Sequence, residues 1–210
     1  MSDKVDPKRT LDSYAARKGE FRIVRVPPMR YLAVDGHGDP NTSPAFERAI
    51  GALYPVAYAL KFASKARGHD YVVPPLEGLW WSEDMDSFAV NLDKSQWSWT
   101  LLLLIPDTAL PEPLDDAMVA TATEAAAAKA PDAGVEGVRV ETIDEGECVQ
   151  TLHVGPFDDE APVIARMHEE FMPAHGLRPS AHHHEIYLSD FRRAAPEKLR
   201  TILRQPVARV

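Results

Sequence analysis

One pattern occurs twice in this chain, and it limits the fold more than any single residue does. "FRIVRVPPMRYLAVDGHGDP" opens the first copy and "VRVETIDEGECVQTLHVGPFDD" the second. Each is two β-rich pieces split by a break, "PP" in one and "DEG" in the other. Each ends at a glycine, Gly38 or Gly155, that leads into a helix. In the first helix Ser43 suits the N-cap and Pro44 the first helical position, where a missing N–H leaves nothing unpaired. Phe46, Ile50, Leu53, Ala57 and Leu60 recur at helical spacing and form one buried stripe. Pro55 should kink this helix or split it. In the second, Asp158 or Asp159 can cap, Val163, Ile164, Met167 and Phe171 form the stripe, and Pro173 and Gly176 end it.

A short strand follows each helix, "LEGLWWSED" or "HHEIYLSDF", and a last strand closes each copy, "SQWSWTLLLLIP" or "KLRTILRQP". An alanine-rich helix at about 113–130 connects the copies. The expected organisation is a polar, loosely held lead-in at 1–19 and a single domain at 20–210, with repeat one at about 20–107 and repeat two at about 136–207. Two pseudo-symmetric β-α-β-β repeats predict an α+β fold of antiparallel sheet with helices on one face. The other face is then expected to hold an open ligand groove at the pseudo-twofold seam.

Strand alternation selects the side chains for that groove. In "HHHEIYLSD", Ile186 and Leu188 share the face a helix would cover, and His183, Glu185, Tyr187 and Ser189 share the other. Aligning Ser82 with Ser189 sets Trp80 equivalent to Tyr187 and Gly78 to Glu185. All four tryptophans lie within residues 80–99. Trp80, Trp97 and Trp99 are therefore the expected ligand-binding wall, although tryptophan near the centre of a sheet is also ordinary core. Periodicity leaves open which face of "SQWSWTLLLLIP" meets the groove.

The histidines need a separate reading. His182 and His184 form a His-x-His pair, but a metal site requires a third ligand, and neither His153 nor His37 is placed by spacing. The pair shares parity with Ile186 and Leu188, so the expectation is a loop of histidines before the strand and no metal. No P-loop, dinucleotide fingerprint or nucleophile elbow is present, and no cofactor is expected. Cys148, the one cysteine, reads as a small buried residue.

The formal net charge of −9 disfavours direct contact with nucleic acid or anionic membrane. With no secretory leader and no apolar stretch long enough to span a bilayer, the expected location is cytoplasmic.

"RYLAVDGHGDPN", "PLEGLWW", "HVGPFDDE" and "HHHEIYLSDFRR", in this order, resemble the GyrI-like small-molecule-binding proteins, and more narrowly their stand-alone subgroup. The resemblance covers the chain after residue 19 and implies a groove for planar aromatic, often cationic, compounds. Relatives fused to DNA-binding domains sense drugs; no helix-turn-helix segment accompanies the repeat here. Some stand-alone members are similar to cyclopropanoid cyclopropyl hydrolases, which add water to DNA-alkylating natural products, and the founding member inhibits DNA gyrase. The family's pocket glutamate maps onto Glu185, and its aromatic wall onto Trp80, Trp97, Trp99 and Tyr187.

Three functions follow as alternatives. In a hydrolase, Glu185 is general base on a water and Tyr187 stabilises the oxygen that takes up charge. In a binder, Glu185 pairs with a cationic drug and the tryptophans add cation–π attraction. In an interaction protein, the partner is a topoisomerase or a regulator. A homodimer is compatible with each.

Overall fold

The repeat decides the sheet. In the computed structural model, which describes residues 4–82 and 93–210, copy one supplies β1 (Arg22–Val26), β2 (Met29–His37), β3 (Leu76–Trp81) and β4 (Ser98–Ile105). Copy two supplies β5 (Arg139–Ile143), β6 (Gly146–Val154), β8 (His183–Tyr187) and β9 (Arg200–Arg209), with the short β7 (Leu177–Pro179) pairing on β9. The order is β1-β6-β9-β8-β3-β4-β2-β5, all antiparallel. It is a palindrome about the β3–β8 pair. Each copy's first strand pairs with the other copy's second strand, β1 with β6 and β5 with β2.

That exchange bends the sheet. Val26 and Met29 are joined by only Pro27 and Pro28, a reach of about 11 Å. In a flat sheet β1 and β2 would lie six strand spacings apart, roughly 29 Å. The sheet must therefore curl until its ends approach. Inside the curl, Val24, Val26, Met29, Tyr31, Ala33, Leu102, Leu104, Cys148, Leu152, Ile186 and Ile202 form one buried cluster.

The helices lie outside the curl. After a turn labelled α1 (Pro7–Thr10), α2 runs over Pro44–Ala66 and α3 over Asp116–Lys129. The Ser43 side chain accepts from the Ala45 N–H, and Asp115 caps α3 by accepting from Met118 N–H at 2.7 Å. Pro55 lies within α2, which is a single helix rather than two. In copy two, α4 (Ala161–Arg166) passes through a π-turn at Met167–Phe171 into α5 (Met172–Ala174). Asp158 and Asp159 belong to a 3₁₀ turn before α4, and Glu160 holds the position before the helix.

The α+β antiparallel architecture follows the repeat; on the face away from the helices, where a groove is expected, the described residues pack into the buried cluster. Curling turns that face into a filled interior. The lead-in plugs it: Tyr14 is buried there, and its hydroxyl bonds Glu77. Residues 4–19 are not loosely held. Arg204 Nη2 donates to the Ser13 carbonyl, Gln150 Nε2 to the Ala15 carbonyl at 2.9 Å, and Val5 bridges Tyr71. Among the described residues no helix is long and apolar enough to cross a membrane.

Candidate functional site

The candidate site lies on the helix-covered side of the sheet. β8 alternates as predicted, but the sides are exchanged. Ile186 points into the curl, whereas Tyr187 joins the cluster under α2 with Phe46, Ile50, Trp80, Trp99, Leu101 and Leu103. A second cluster, Val149, Met167, Met172, Leu203 and Val207, lies under the copy-two helix. Between these two apolar clusters runs a seam of polar side chains, Glu185, His183, Thr201 and Glu160.

A short relay fixes Glu185. The Trp80 indole N–H donates to the Tyr187 oxygen at 3.0 Å, and the Tyr187 hydroxyl donates to Glu185 Oε2 at 2.8 Å. Gly78 makes room for it: a Cβ there would sit 2.7 Å from Trp80 Nε1 and 3.2 Å from the Tyr187 oxygen. The Glu185 side chain is 14% exposed. Burial raises it, against the Tyr187 hydrogen bond and the His184 and Lys94 charges, to about 7.

Opposite stands Glu160, delivered by the loop after β6 and only 4% exposed. Burial and then the nearby Glu185 charge raise its carboxyl to about 10, while the Thr201 hydroxyl beside it lowers it. Both carboxyls are raised, Glu160 further than Glu185, so Glu185 gives up its proton first as pH rises. His183 Nε2 is 3.6 Å from Glu185 Oε1, and burial, followed by His168 and His184, holds the imidazole at about 3, hence neutral. Glu160 Oε1, Thr201 Oγ1 and both His183 ring nitrogens are buried without a hydrogen-bond partner. Such a concentration of unpaired polar atoms is uncommon in a native interior. It is what a site kept for a polar ligand presents.

The aromatic residues divide. Trp80 is 4% exposed and stacks with Phe46 at 6.1 Å. Trp97 is half-buried, meets Trp80 edge-on at 5.8 Å and has the Lys94 ammonium 5.7 Å from its ring centre. Trp99 is fully buried over Gly36 and donates to the Gly38 carbonyl at 3.2 Å. Its surroundings are those of a core residue. Phe157 meets Tyr187 at 5.6 Å, and beyond Tyr187 an outer cleft of about 520 Å³ opens between Tyr54 and Tyr58 of α2 and Phe191. His183 shares the strand face of Glu185 in the alternation, whereas Glu160, Thr201 and Phe157 were not singled out; nothing local distinguishes Glu160 from Asp158 and Asp159.

The histidine triplet divides too. His183 and His184 lie within β8, not in a loop, and His182 stacks on Trp81 at 4.3 Å. His184 points into the curl, between Glu77 Oε2 at 3.0 Å and Glu145 Oε1 at 2.9 Å. Burial opposes its charge, but the two carboxylates outweigh burial and lift it to about 9. Arg204 closes this clasp on Glu145 at 2.7 Å and on Gln150 at 3.0 Å. Burial acts against the Glu145 charge as well, yet His184 and Arg204 hold it down at about 2. No group of three or more potential metal-ligating side chains occurs among the described residues.

A family model described as the GyrI-like small-molecule-binding domain matches residues 107–208. An uncharacterised conserved protein from Listeria innocua is 40% identical, with a TM-score of 0.86, over 98% of this chain and 100% of its own. A protein from Listeria innocua named a hydrolase is 39% identical, with a TM-score of 0.81 and the same coverage. The EcmrR C-terminal domain shares the fold at 10% identity and a TM-score of 0.55, over 91% of this chain and 98% of that one. No curated protein matches.

Proposed function

Because the chain belongs to the GyrI-like small-molecule-binding family, we propose that its polar seam takes a planar aromatic compound and adds water to a strained ring within it. The observation that carries this reading is Glu185: a carboxylate raised to about 7 and held by Tyr187 in an aromatic surround. A base with that affinity for protons is matched to work near neutral pH. Trp80 and Trp97 supply the flat wall, on which an aromatic ligand is worth more than its area alone.

In the proposed reaction the ligand carries a cyclopropane conjugated with a dienone, the class of DNA-alkylating spirocyclopropanes. Glu185 takes a proton from water. The water oxygen bonds to the least hindered cyclopropane carbon, and the C–C bond breaks. Its electron pair moves through the ring to the carbonyl oxygen, making a phenolate. Tyr187 has already committed its hydroxyl to Glu185 and serves to hold the base. General-base help of this kind contributes about 10²–10⁴-fold, and positioning adds to it.

The second reading is sequestration. Glu185 and the indole faces also suit a cationic aromatic compound, bound and released unchanged. The two readings separate on one experiment. A spirocyclopropane compound is incubated with a tenth of its concentration of protein, wild type or Glu185→Gln, and analysed by mass spectrometry. Complete conversion to the water adduct by wild type alone supports hydrolysis. Protection limited to one equivalent, with intact compound recovered, supports sequestration and removes hydrolysis.

A further inference from the structure

We propose that Glu160 is the acid partner of Glu185, delivering a proton to the oxygen that receives the electron pair. This rests on the hydrolytic reading of the seam and gives it the proton donor that Tyr187 cannot be while it holds the base.

The placement comes first. Phe157, three residues before Glu160, packs on Tyr187, so the loop that carries Glu160 lies over the relay. Glu160 precedes α4 but makes no capping hydrogen bond to it. Among the described residues this buried carboxyl neither caps a helix nor forms an ion pair, and apart from the nearby Thr201 hydroxyl its Oε1 has no hydrogen-bonding partner. The groups that act on its charge are Glu185 and Tyr187 on β8, Thr201 on β9, and Lys94 and Asp158. Lys94 and Asp158 pair with each other at 2.9 Å and largely cancel.

The chemistry fits the placement. Burial and the Glu185 charge keep Glu160 protonated up to about 10. A phenol has a pKa of about 10, so transfer from Glu160 to the emerging phenolate is nearly balanced, where general-acid catalysis is most effective. In one turnover Glu185 gains the water proton and Glu160 loses its own to the product oxygen. A proton passing from Glu185 back to Glu160 restores the starting state, and the net change is addition of one water.

The test uses wild type, Glu160→Gln, Glu160→Asp and Glu185→Gln, with binding of the ring-opened product followed separately by tryptophan fluorescence. Wild-type kcat should rise with pH through about 7 and fall through about 10. Glu160→Gln should lower kcat about 100-fold, abolish the alkaline fall and leave product affinity unchanged, and Glu160→Asp should restore part of the rate. Infrared spectra at pH 8 should show a protonated-carboxyl band in wild type and Glu185→Gln that Glu160→Gln lacks. Wild-type kcat with an unaltered alkaline fall in Glu160→Gln would overturn the acid role, and a dead Glu185→Gln beside it would leave the hydrolytic reading standing. If wild type returns the compound unchanged, that reading falls and the acid role with it.

Discussion

Gly78 is the cross-strand partner of Glu185, and the side chain it lacks is what lets Trp80 reach Tyr187. A methyl group at that position would press on both ends of the Trp80–Tyr187 hydrogen bond. Gly78→Ala should therefore displace the indole and release Tyr187 from Glu185. We expect ligand affinity to fall at least about tenfold, equivalent to about 1.4 kcal/mol, with the fold retained. Titration by tryptophan fluorescence beside a circular dichroism spectrum checks this, and unchanged affinity would show that the relay does not shape the site.

Tyr187→Phe keeps the ring that packs in the α2 cluster and removes both the acceptor of the Trp80 indole and the hydrogen bond that favours the Glu185 anion. Loss of a bond to the charged form raises a carboxyl further. The acidic limb of the pH–rate profile should move upward, so that activity at pH 7 falls while activity at pH 9 recovers much of the difference. A limb that stays in place would exclude Tyr187 as the group holding the base.

Trp97 and Trp99 should behave oppositely. Trp99→Phe leaves a void between Gly36 and Phe46 and ought to lower stability by about 1–3 kcal/mol with little effect on ligand affinity. Trp97→Ala, at a half-buried position, ought to weaken binding and spare stability. Urea melts paired with ligand titrations distinguish the two.

The clasp inside the curl gives a pH signature. His184 is raised to about 9 from an ordinary 6.5, so its contribution is complete below about 6.5 and disappears as pH rises through 9. Glu145 is lowered to about 2 from 4.5, so its contribution is present above 4.5 and lost as pH falls through 2. The clasp is strongest between these ranges. His184→Gln leaves the buried Glu77 without a cation and Glu145 with Arg204 alone, and should reduce stability by about 3–5 kcal/mol, a drop in Tm on the order of 10 °C. A Tm shift of a degree or two at pH 6 would mean the clasp contributes little.

Glu160 predicts the reverse for a substitution. Its folded value of about 10 lies above the ordinary 4.5, so its contribution is present below 4.5 and lost as pH rises towards 10, by up to about 1.4 kcal/mol per unit. Glu160→Gln removes that slope and should make the protein more stable than wild type at pH 8 and close to it at pH 5. Urea melts at both values test this; equal stability at pH 8 would mean that Glu160 holds no extra proton.

Much of this was legible because it is periodic. The repeat predicted strand order within each copy, alternation put Glu185 with Tyr187, and Trp97 and Trp99 did fall on the side of the strand that Trp80 shares. The exposed side of the sheet was not legible. It depends on β1 pairing with β6, and no local pattern records a contact between Arg22 and Gln150. The lead-in misled because its anchors are mostly backbone carbonyls, Ser13 and Ala15, which look alike in every sequence. His184 looked like a loop residue because its partners, Glu77 on β3 and Glu145 between β5 and β6, are far from it in sequence.

The exchange of first strands between the copies also constrains how the chain is made. While the ribosome is still synthesising copy two, β1 and the outer edge of β2 have no partners, because β6 and β5 do not yet exist. The nascent first half must wait with open edges through the synthesis of the connecting helix, a period in which chaperones would meet it and in which two nascent chains could pair with each other instead. The palindrome that frames the seam in the finished protein is, during translation, its most exposed moment.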